Sequence, residues 1–339
     1  MIVIRPIAKC DFDAYLKLAF KAHINFYTLP KSERLLQHRF DKALHSFTDD
    51  ATLPEKQFYL FVAEDTVEKK LLGVSALSAT SGGSEPLFFF RKEYVDVHSP
   101  LAPVVKKLAV LNPVSYLHGP SEVGSLFADP ASRGTGVGKL LSLSRFLFAA
   151  RFPERFTGSF ISELRGPIHN GSSLFWEAIG RHFFNVRFDE IQEMMNFGRS
   201  FITHFLPQYP IYIDLLPQEI QQLIGAVDKE TEPALHMLQR LGFELTDEID
   251  VIDGGPKVLA RKEALAPIKS SKVHIIGAIN QIPPTEVHYM LANETLDFRA
   301  LTAPLLFLPD NGIAISPEVA AHLNLGLGQA VRIFNPKSV

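Results

Sequence analysis

Cysteine is almost absent from this sequence, since Cys10 is the single one among 339 residues. One thiol cannot build a disulfide framework, and it cannot supply the several cysteines of a typical structural zinc site. Apolar runs of the roughly 20 residues that cross a bilayer are missing as well. Residues 1–6 predict a strand rather than a signal peptide. We therefore expect a protein of the reducing cytoplasm without a metal site.

A strong charge of either sign is also lacking. Lysine and arginine total 34 against 37 aspartates and glutamates, which leaves a net charge of -3. This balance argues against a nucleic-acid partner and against a membrane-surface partner. Hydrophobic residues make up 46% and charged residues 21%, as in a globular chain long enough for two domains or for one domain with an appendage. The 27 phenylalanines predict a large aromatic core and are compatible with a buried subunit interface.

The chain is organised around residues 121–150. Apolar residues at the start of this stretch, followed by Asp129 and Pro130, predict a short strand. From Leu140 onward, leucines and phenylalanines lie on or near one face of a predicted helix. Residues 133–138, Arg-Gly-Thr-Gly-Val-Gly, form the turn between them. Because the first amides of a helix lack intrahelical partners and glycines leave them accessible, the arrangement predicts an anion site suited to a diphosphate.

Three kinds of glycine-rich site compete for this turn. A Walker loop requires Ser or Thr after its lysine, but Leu140 follows Lys139. A dinucleotide fingerprint requires G-x-G-x-x-G, but the spacing here is G-x-G-x-G, and no parallel βαβ unit with a suitably placed acidic residue continues it. The third kind is the R/Q-x-x-G-x-G/A diphosphate loop of GNAT-type N-acyltransferases, which Arg133, Gly136 and Gly138 match. An ordinary glycine-rich turn stays open as an alternative.

Acyl-CoA would contact this stretch mainly through the main chain. The strand would offer main-chain groups to the pantetheine and the thioester oxygen, and the loop amides would hold the diphosphate. We expect acyl-CoA as a co-substrate and no permanently bound cofactor. The candidate acyl-CoA-binding residues are Leu126, Phe127, Ala128, Arg133, Gly134, Gly136, Val137, Gly138 and Lys139.

The elements before this stretch follow the order of the GNAT fold. A strand at 2–5 precedes a helix that Asp11 could cap, and a second helix begins after Ser32. An antiparallel pair of strands follows at 58–63 and 71–77. We therefore predict an α/β (α+β) fold of the GNAT type with a mixed, mostly antiparallel sheet.

Residues 81–119 make an unusually long connection between two of these strands. Long connections within compact domains are often functional. Extra antiparallel strands that extend the sheet are the alternative, and both can hold. His98 and His118 lie in this connection, where each could be an acid or base of the reaction or an ordinary surface histidine.

The C-terminal half elaborates the predicted core. Strands are predicted at 158–164 and at 183–188, with mostly helical segments after them. Residues 267–272 predict a linker, and β-rich pieces without catalytic groups follow it, together with a short helix that Ser316 caps. We divide the chain into a GNAT-like acyl-CoA-binding core (1–188), a part that completes the acyltransferase (189–266) and a small β-rich appendage (267–339).

Over roughly residues 1–262 the chain resembles the bacterial arginine N-succinyltransferases. Several short motifs carry the resemblance, and their number and order make it specific. They are Ile4-Arg5-Pro6, Thr28-Leu29-Pro30, Gly119-Pro-Ser-Glu122, Leu126-Phe127-x-Asp129-Pro130, Ser144-Arg145-Phe146-x-Phe148, Glu163-x-Arg165-Gly166, Phe175-Trp176, Gly180-Arg181-x-Phe183-Phe184, Pro210-Ile211-Tyr212 and Ile249-Asp250-x-x-Asp253-Gly254-Gly255-Pro256. The resemblance implies transfer of a succinyl group from succinyl-CoA to the α-amine of arginine, or of ornithine in some members, as the first step of arginine breakdown. It also implies a homo-oligomer or a pairing with a related subunit.

Two positions depart from what the resemblance implies. The family's proton-donating histidine follows a Gly-x-Val segment, whereas Asp228 follows Gly225-Ala-Val227 here. With an ordinary pKa of about 3.9, an aspartate could act as a base but not readily as an acid. Asp228 could instead contact a cationic substrate or cap a helix. Residues 25–27, Asn-Phe-Tyr, are bulkier than the family's and could reshape the amino-acid site.

Acyl transfer to an amine requires a base for the amine, donors for the oxyanion and a site that holds both substrates. Glu122, at the start of the central strand, could take the amine proton directly or through water; a solvated carboxylate at a strand end is the alternative. Arg165 could pair with a carboxylate of either substrate, or with Glu163 inside the protein. The candidate catalytic residues are thus Asp228, Glu122, His98 and His118, and the candidate substrate-binding residues are Glu163 and Arg165.

The function predicted from the sequence is acyl-CoA-dependent N-acyltransfer. We expect direct attack by the amine in a ternary complex, because no plausible cysteine nucleophile accompanies the glycine-rich loop. One alternative is an acyltransferase of the same fold that uses another amine or another acyl donor. The other is a non-catalytic subunit that binds acyl-CoA and supports an active relative. Asp228 favours both alternatives.

Overall fold

The computed structural model describes residues 1–22, 29–98 and 105–338, which form a sixteen-stranded sheet with flanking helices. The strands are β1 (Ile2–Pro6), β2 (Phe58–Asp65), β3 (Lys70–Ser78), β4 (Ser81–His98), β5 (Val105–Gly119), β6 (Ser121–Ala128), β7 (Ser159–Glu163), β8 (Ile211–Tyr212), β9 (Glu244–Asp250), β10 (Pro256–Arg261), β11 (Lys272–Ile279), β12 (Tyr289–Asn293), β13 (Ala300–Ala303), β14 (Leu306–Phe307), β15 (Gly312–Ile315) and β16 (Ala330–Phe334). The helices are α1 (Phe12–Lys21), α2 (Glu33–Ser46), α3 (Val137–Arg151), α4 (Arg181–Phe184), α5 (Phe188–Met195), α6 (Ile202–Phe205), α7 (Gln218–Leu223), α8 (Glu232–Leu241), α9 (Ala266–Ser270) and α10 (Pro317–Leu323).

The sheet is mixed and mostly antiparallel. Its strand order is β14-β15-β11-β16-β12-β13-β1-β2-β3-β6-β7-β10-β9-β4-β5-β8. Among the described strands, β6 and β7 form one parallel pair and β11 and β15 form another. The predicted fold class is therefore confirmed. Residues 25–27, whose bulk was expected to reshape the amino-acid site, lie outside the described residues.

Strands β6 and β7 separate soon after they begin to pair. Their parallel pairing covers residues 121–122 of β6. On its other edge, β6 bulges against β3, where the register shifts between Val74 and Ala76. Ser125 lies in this bulge with a φ of 51°, in the left-handed region. Such bulges redirect main-chain groups and are common beside active sites, so the opening next to β6 is a candidate place for a functional site.

Helix α3 is buried on nearly every side. The sequence predicted apolar residues on one face, yet Ser142, Ser144 and Arg145 between them are buried as well. The reason is that α3 packs against β3 on the sheet and also against α9. The Ser144 hydroxyl donates to the Leu140 carbonyl at 2.6 Å, which satisfies a polar group without water.

An aromatic cluster around Phe148 of α3 contains part of the protein's abundant phenylalanine. Phe148 is fully buried. Its ring centroid lies 4.9 Å from that of Tyr59 and 5.5 Å from that of Phe298. Since Tyr59 belongs to β2 and Phe298 precedes β13, the cluster ties the N-terminal sheet to the C-terminal strands. The other rings around Phe148 are those of Phe47, Phe61, Phe152 and Phe156.

The long connection at 81–119 is a hairpin of β4 and β5 that extends the sheet. This is one of the two interpretations that the sequence left open. The two strands pair along most of their length, from Ser81 with Gly119 to His98 with Val105. β4 also pairs with β9, and β5 pairs with β8 at the edge of the sheet. This hairpin therefore places Ser81 and Gly82 beside the start of β6.

One secondary-structure prediction was wrong. Residues 183–188 contain the end of α4, a break and the start of α5 rather than a strand, and Asn185, with a φ of 54°, lies in the break. Phe184 and Phe188 are both buried, but a four-residue spacing places residues on one face of a helix or of a strand, so this pattern could not distinguish the two. The predicted linker at 267–272 contains most of α9, because Pro267 occupies a first helical turn, where its missing N–H is not needed.

The C-terminal strands continue the same sheet. Ile4 of β1 pairs with Ala300 of β13, so β11 to β16 extend the edge that β1 would otherwise present. The domain boundaries given above stay a prediction. Among the described helices, none combines the length and the apolar character required to cross a membrane.

Candidate active site

A cavity of about 280 Å³ lies where α2, β3 and β6 meet the segment that follows α5. Arg39 of α2, Ser78 of β3, Glu122 of β6 and Arg199 contribute to its lining. Glu122 is also the last residue through which β6 pairs with β7. The cavity thus brings charged side chains to the place at which the sheet opens.

Glu122 is the predicted catalytic residue that the structure places in this cavity. Burial raises the pKa of its carboxyl to about 7, and the Glu163 carboxylate acts in the same direction, against the two guanidinium groups of Arg199 and Arg39. A carboxyl group with this pKa is about half ionised at neutral pH. It can accept a proton from an amine and return it to solvent, as a general base must.

Glu163 couples Glu122 to two further carboxyl groups. Its carboxylate pairs with Arg199 at 3.5 Å. Burial, followed by the charge of Glu163, raises the pKa of Asp250 to about 6. Burial and the charge of Asp250 raise the pKa of Asp253 to about 8, while main-chain amides of the following turn donate to the two aspartates at 2.7 and 2.8 Å. Three carboxyl groups, those of Glu122, Asp250 and Asp253, therefore have pKa values raised towards neutral pH.

Asp228 lies outside the lining of this cavity. Its carboxylate pairs with Arg165 at 2.6 Å and accepts hydrogen bonds from the amides of Ile168 and Glu230 at 3.2 and 2.9 Å. Burial acts to raise its pKa, but the hydrogen bonds from Arg165 and the two amides outweigh it and hold the pKa below its usual range. Asp228 is therefore ionised at neutral pH and cannot donate a proton there.

Replacing Asp228 with Asn is expected to lower the free energy of unfolding by about 2 kcal/mol at pH 7, because Arg165 loses a largely buried partner. A carboxylate with a lowered folded-state pKa stabilises the protein above its unfolded pKa, and this contribution is lost as the pH falls through the folded value. The difference between wild type and variant should therefore shrink below about pH 4.

Urea unfolding of wild type and Asp228→Asn at pH 7 and pH 3 measures this difference. The matched control is Glu230→Gln, because Glu230 also pairs with Arg165, at 3.0 Å, but its side chain is 79% exposed. We expect a change below about 0.5 kcal/mol for the control. An equal effect of Asp228→Asn at both pH values would contradict the ion pair.

The two predicted substrate-binding residues do not pair with each other. Glu163 pairs with Arg199, and Arg165 pairs with Asp228 and Glu230, so the internal Glu163–Arg165 pair that was one alternative is wrong. Glu163 has one buried carboxylate oxygen without a hydrogen-bond partner among the described residues. That oxygen is buried and Glu163 does not line the cavity, so the structure does not expose it to a substrate, and Arg165 is paired with protein carboxylates.

The glycine-rich loop leaves its main chain open. Gly134 and Gly136 both have a φ of 82°, in the region that favours glycine. Gly136 caps α3, and residues 133–136 are exposed. An added Cβ at Gly134, Gly136 or Gly138 would meet no protein atom within 4 Å, so the space in front of the first amides of α3 is free of protein. The predicted anion site thus has a suitable shape.

The ends of this loop are fixed by charged side chains. Asp129 is buried, pairs with Lys21 of α1 at 2.6 Å and accepts the amide of Ala131 at 3.1 Å. Lys139 donates to the carbonyl of Pro336 at 2.7 Å. Leu126, Phe127 and Ala128 are half-buried residues of β6 between the bulge and Asp129. The structure therefore presents the predicted acyl-CoA-binding residues as one strand and loop, and their contacts with acyl-CoA stay a prediction.

The two predicted histidines lie away from the cavity lining. His118 is an exposed residue of β5 opposite Gly82, and His98 is the exposed last residue of β4. Neither is among the residues that line the cavity. Their catalytic role stays a prediction.

Sequence reasoning missed Arg39 and Arg199. Arg39 lies on α2 between apolar positions, and Arg199 lies in a short turn between α5 and α6. It also gave no role to Asp250 and Asp253, although their motif was among those that carry the family resemblance. Nothing local indicates that helix α2 and the turn meet at Glu122, because this depends on the tertiary fold.

A solved structure shares this fold over nearly its whole length. It is described as the arginine/ornithine succinyltransferase subunit AI from Pseudomonas aeruginosa, and it matches with a TM-score of 0.90, 30% identity and 99% coverage of each chain. The fold is thus that of an acyltransferase.

Family models and relatives agree with this match. Residues 2–267 match the model of the arginine N-succinyltransferase beta subunit, and residues 270–335 match the model of its C-terminal domain. The arginine N-succinyltransferase of Yersinia enterocolitica is 33% identical, over 99% of this chain and 98% of the relative. Subunit alpha of the Pseudomonas aeruginosa enzyme is 32% identical, over 98% of this chain and 99% of the relative, and subunit beta is also 32% identical, over 98% and 97%. The chain belongs to the arginine N-succinyltransferase family, as its sequence motifs predicted.

Proposed function

We propose that this protein transfers a succinyl group from succinyl-CoA to the α-amine of L-arginine, or of ornithine, as the first step of arginine breakdown in the cytoplasm. Family membership supports the reaction, and one structural observation supports its location: the Glu122 carboxyl lies in a cavity beside the opening of β6, with a pKa raised to about 7. The amine binds in this cavity, and acyl-CoA lies along β6 and the glycine-rich loop.

The reaction proceeds by direct attack in a ternary complex. The α-ammonium group gives one proton to the ionised Glu122 carboxylate, which passes it to solvent, and the neutral amine attacks the thioester carbonyl carbon. Main-chain N–H groups of the β6 bulge stabilise the oxyanion. The nitrogen then gives its second proton to Glu122, and the carbon–sulfur bond breaks to leave the amide and release CoA as its thiolate. Cys10 does not line the cavity, so an acyl-enzyme on that thiol has no place in this geometry.

The glycine-rich loop holds the diphosphate of CoA with the first amides of α3. Replacing Gly136 with Ala forces a side chain into the left-handed region, at a cost of about 1–2 kcal/mol. We expect roughly a tenfold rise in the KM for acyl-CoA, with kcat changed much less. Gly158→Ala is the matched control, since Gly158 is exposed and has open space around it but no positive φ. Equal KM values for the two variants would argue against this use of the loop.

Release of free thiol by the purified chain tests the proposed function. Succinyl-CoA and acetyl-CoA are each combined with L-arginine and with L-ornithine. We expect free thiol to be released with succinyl-CoA and arginine. Asp228 would then act as a positioning residue through its ion pair with Arg165. Release with a different pair would keep the acyltransferase and change its substrates.

A second candidate is a non-catalytic subunit that binds acyl-CoA and supports an active relative. The observation in its favour is Asp228, which stands where the family is expected to have a proton donor and is held ionised by Arg165. The relatives named subunit alpha and subunit beta support an oligomer that includes a related chain. This candidate would be favoured if the purified chain binds acyl-CoA without releasing thiol, and if thiol is released once such a related chain is added.

A further inference from the structure

Arg145 of α3 is a buried arginine to which the mechanism above gives no role. Its residue is 2% exposed, and its motif, Ser144-Arg145-Phe146, is among those that carry the family resemblance. The guanidinium donates to the Ser142 hydroxyl at 3.2 Å. It also donates to three main-chain carbonyls at 3.3 to 3.4 Å, those of Ser142, Ala76 and Gly124. Arg145 therefore links helix α3 to strands β3 and β6.

Among residues 1–22, 29–98 and 105–338, no carboxylate pairs with this guanidinium, and all its hydrogen-bond acceptors are uncharged oxygens. Burial lowers the pKa of Arg145 to about 9, so the group is still ionised at neutral pH. Burying a charge without a counter-ion is unfavourable, and an apolar side chain of similar size would fill the same space without that cost. A role for the charge and its donors would account for an arginine at this place.

The two sheet carbonyls that Arg145 contacts lie at the edge of the β6 bulge. Ala76 and Gly124 are paired across β3 and β6, and the register shifts between Val74 and Ala76. Gly124 directly precedes Ser125, the residue of the bulge with a φ of 51°. A single guanidinium thus holds both strands at the point where the bulge begins.

Arg145 and the cavity lie on opposite faces of these strands. Alternate residues of β2 and β3 pack with α3 on one face and with α1 and α2 on the other. The cavity is on the face of α2, and Gly124 and Ser125 contribute to its lining. A trans peptide is planar, with its C=O and N–H pointing in opposite directions. Because the Gly124 carbonyl is turned toward Arg145, the N–H of Ser125 points away from α3, toward the cavity.

We propose that Arg145 is a positioning residue for succinyl transfer, which fixes the main chain of the β6 bulge from the α3 side of the sheet. This inference rests on the proposed function, in which N–H groups of the bulge stabilise the oxyanion, and adds the residue that holds them in place. The positive charge acts in the same direction, since a buried cation behind the strands stabilises negative charge that forms in front of them. Arg145 does not line the cavity, so it acts through the bulge and not by contact with a substrate.

Polarisation of the thioester carbonyl in bound succinyl-CoA tests this role without turnover. The carbonyl is labelled with ¹³C, and its stretching frequency is measured by isotope-edited infrared spectroscopy on the purified full-length chain in the absence of an amino acid. Hydrogen bonds and positive charge at the oxygen lower this frequency. We expect a value below that of free succinyl-CoA in wild type, a return toward the free value in Arg145→Met and an intermediate value in Arg145→Lys.

The matched control is Arg155→Met. Arg155 is also a buried arginine with neutral acceptors, but it donates to the Tyr59 hydroxyl at 3.1 Å and to the Asp49 carbonyl at 2.7 Å, neither of which belongs to the bulge. The frequency in this variant should match that of wild type. Ser142→Ala removes the hydroxyl that accepts from Arg145 and should show a smaller shift in the same direction as Arg145→Met. It provides the readout if Arg145→Met reduces the yield of folded protein.

Steady-state kinetics of the same variants separates positioning from packing. We expect Arg145→Met to lower kcat by about 10- to 100-fold, somewhat less than the loss of an oxyanion donor itself. The KM for either substrate should change by less than about threefold, because the bulge acts mainly on the transition state. Arg155→Met should keep kcat.

A bound frequency and a kcat that are both unchanged in Arg145→Met would overturn the inference, and so would a wild type whose bound frequency equals the free value. Equal losses of kcat in Arg145→Met and Arg155→Met would also overturn it, because a general loss of packing predicts them. The two proposals can fail separately. A frequency that depends on Arg145 in a chain that releases no thiol would keep the positioning residue and contradict the proposed catalysis. Thiol release with an unchanged frequency and kcat in Arg145→Met would do the opposite.

Discussion

Replacing Glu122 with Gln is expected to reduce kcat/KM for succinyl transfer to arginine by about 10²- to 10⁴-fold, the usual contribution of a general base. Glutamine keeps the size of the side chain and its capacity to accept a hydrogen bond, but it cannot take a proton. Stability should change little or rise, because the variant removes a carboxylate whose ionisation in the cavity is unfavourable. Steady-state kinetics at saturating succinyl-CoA measures the effect.

The pH dependence of the wild type separates this role from a loss of packing. A base acts in its ionised form, so kcat/KM should rise as the pH increases through about 7, the raised pKa of Glu122. Glu122→Gln should lack this step and keep only the titration of the substrate amine. Glu85→Gln removes another carboxylate from the cavity lining and should retain the step. A step near pH 7 that persists in Glu122→Gln would assign the base to another group.

The largest expected effect on stability is that of Phe148→Ala. Phe148 is fully buried, and the rings of both sheet halves surround it. Truncation removes its apolar surface and leaves a cavity that the neighbouring rings cannot fill, so the free energy of unfolding should fall by about 3–5 kcal/mol. Urea unfolding followed by circular dichroism measures the loss.

Phe183→Ala provides the control for this prediction. Because Phe183 is 40% exposed, its substitution should lower the free energy of unfolding by about 1 kcal/mol or less. Phe298→Ala extends the prediction to the C-terminal strands. Since the two rings are in contact, the double variant should cost less than the sum of the single ones. A loss below about 1 kcal/mol for Phe148→Ala would contradict the cluster as the core that joins the two parts of the sheet.

Elements with local signals were predictable from the sequence. Ser32 caps α2 by accepting the amide of Leu35, and Ser316 caps α10 by accepting the amide of Val319. The glycine-rich turn before α3 was recognised from the spacing of its glycines, and in the structure two of them adopt a conformation that other residues avoid. In each case the signal lies within a few residues of the feature, which is why propensity and spacing were sufficient.

Elements that depend on distant contacts were not predictable in this way. Asp11 precedes α1 as expected, but its carboxylate binds the guanidinium of Arg5 at 2.6 Å and the amide of Ala8 at 2.7 Å instead of capping the helix. Helix α3 was expected to be apolar on one face, yet packing against both the sheet and α9 buries its polar residues too. The local sequence pattern of α3 does not show that α9 packs on the side of the helix that faces away from the sheet.

The candidate site shows the same division. Glu122 was identified because a carboxylate at the start of the central strand has a chemical use there. Arg39 and Arg199 come from segments 160 residues apart in the chain, and only the folded sheet brings them to Glu122. Asp228 was identified by its departure from the family, and the structure supplies the physical consequence, an ion pair with Arg165 that keeps it charged.

Product analysis is the measurement that tests the proposed reaction most directly. The purified chain is incubated with succinyl-CoA and ¹⁵N-labelled arginine, and the product is examined by mass spectrometry and by NMR of the labelled nitrogens. We expect succinylarginine with the new amide on the α-nitrogen, formed in step with free CoA, in wild type and at a greatly reduced rate in Glu122→Gln. Free CoA without succinylarginine, or an amide on a guanidinium nitrogen, would contradict succinyl transfer to the α-amine in this cavity.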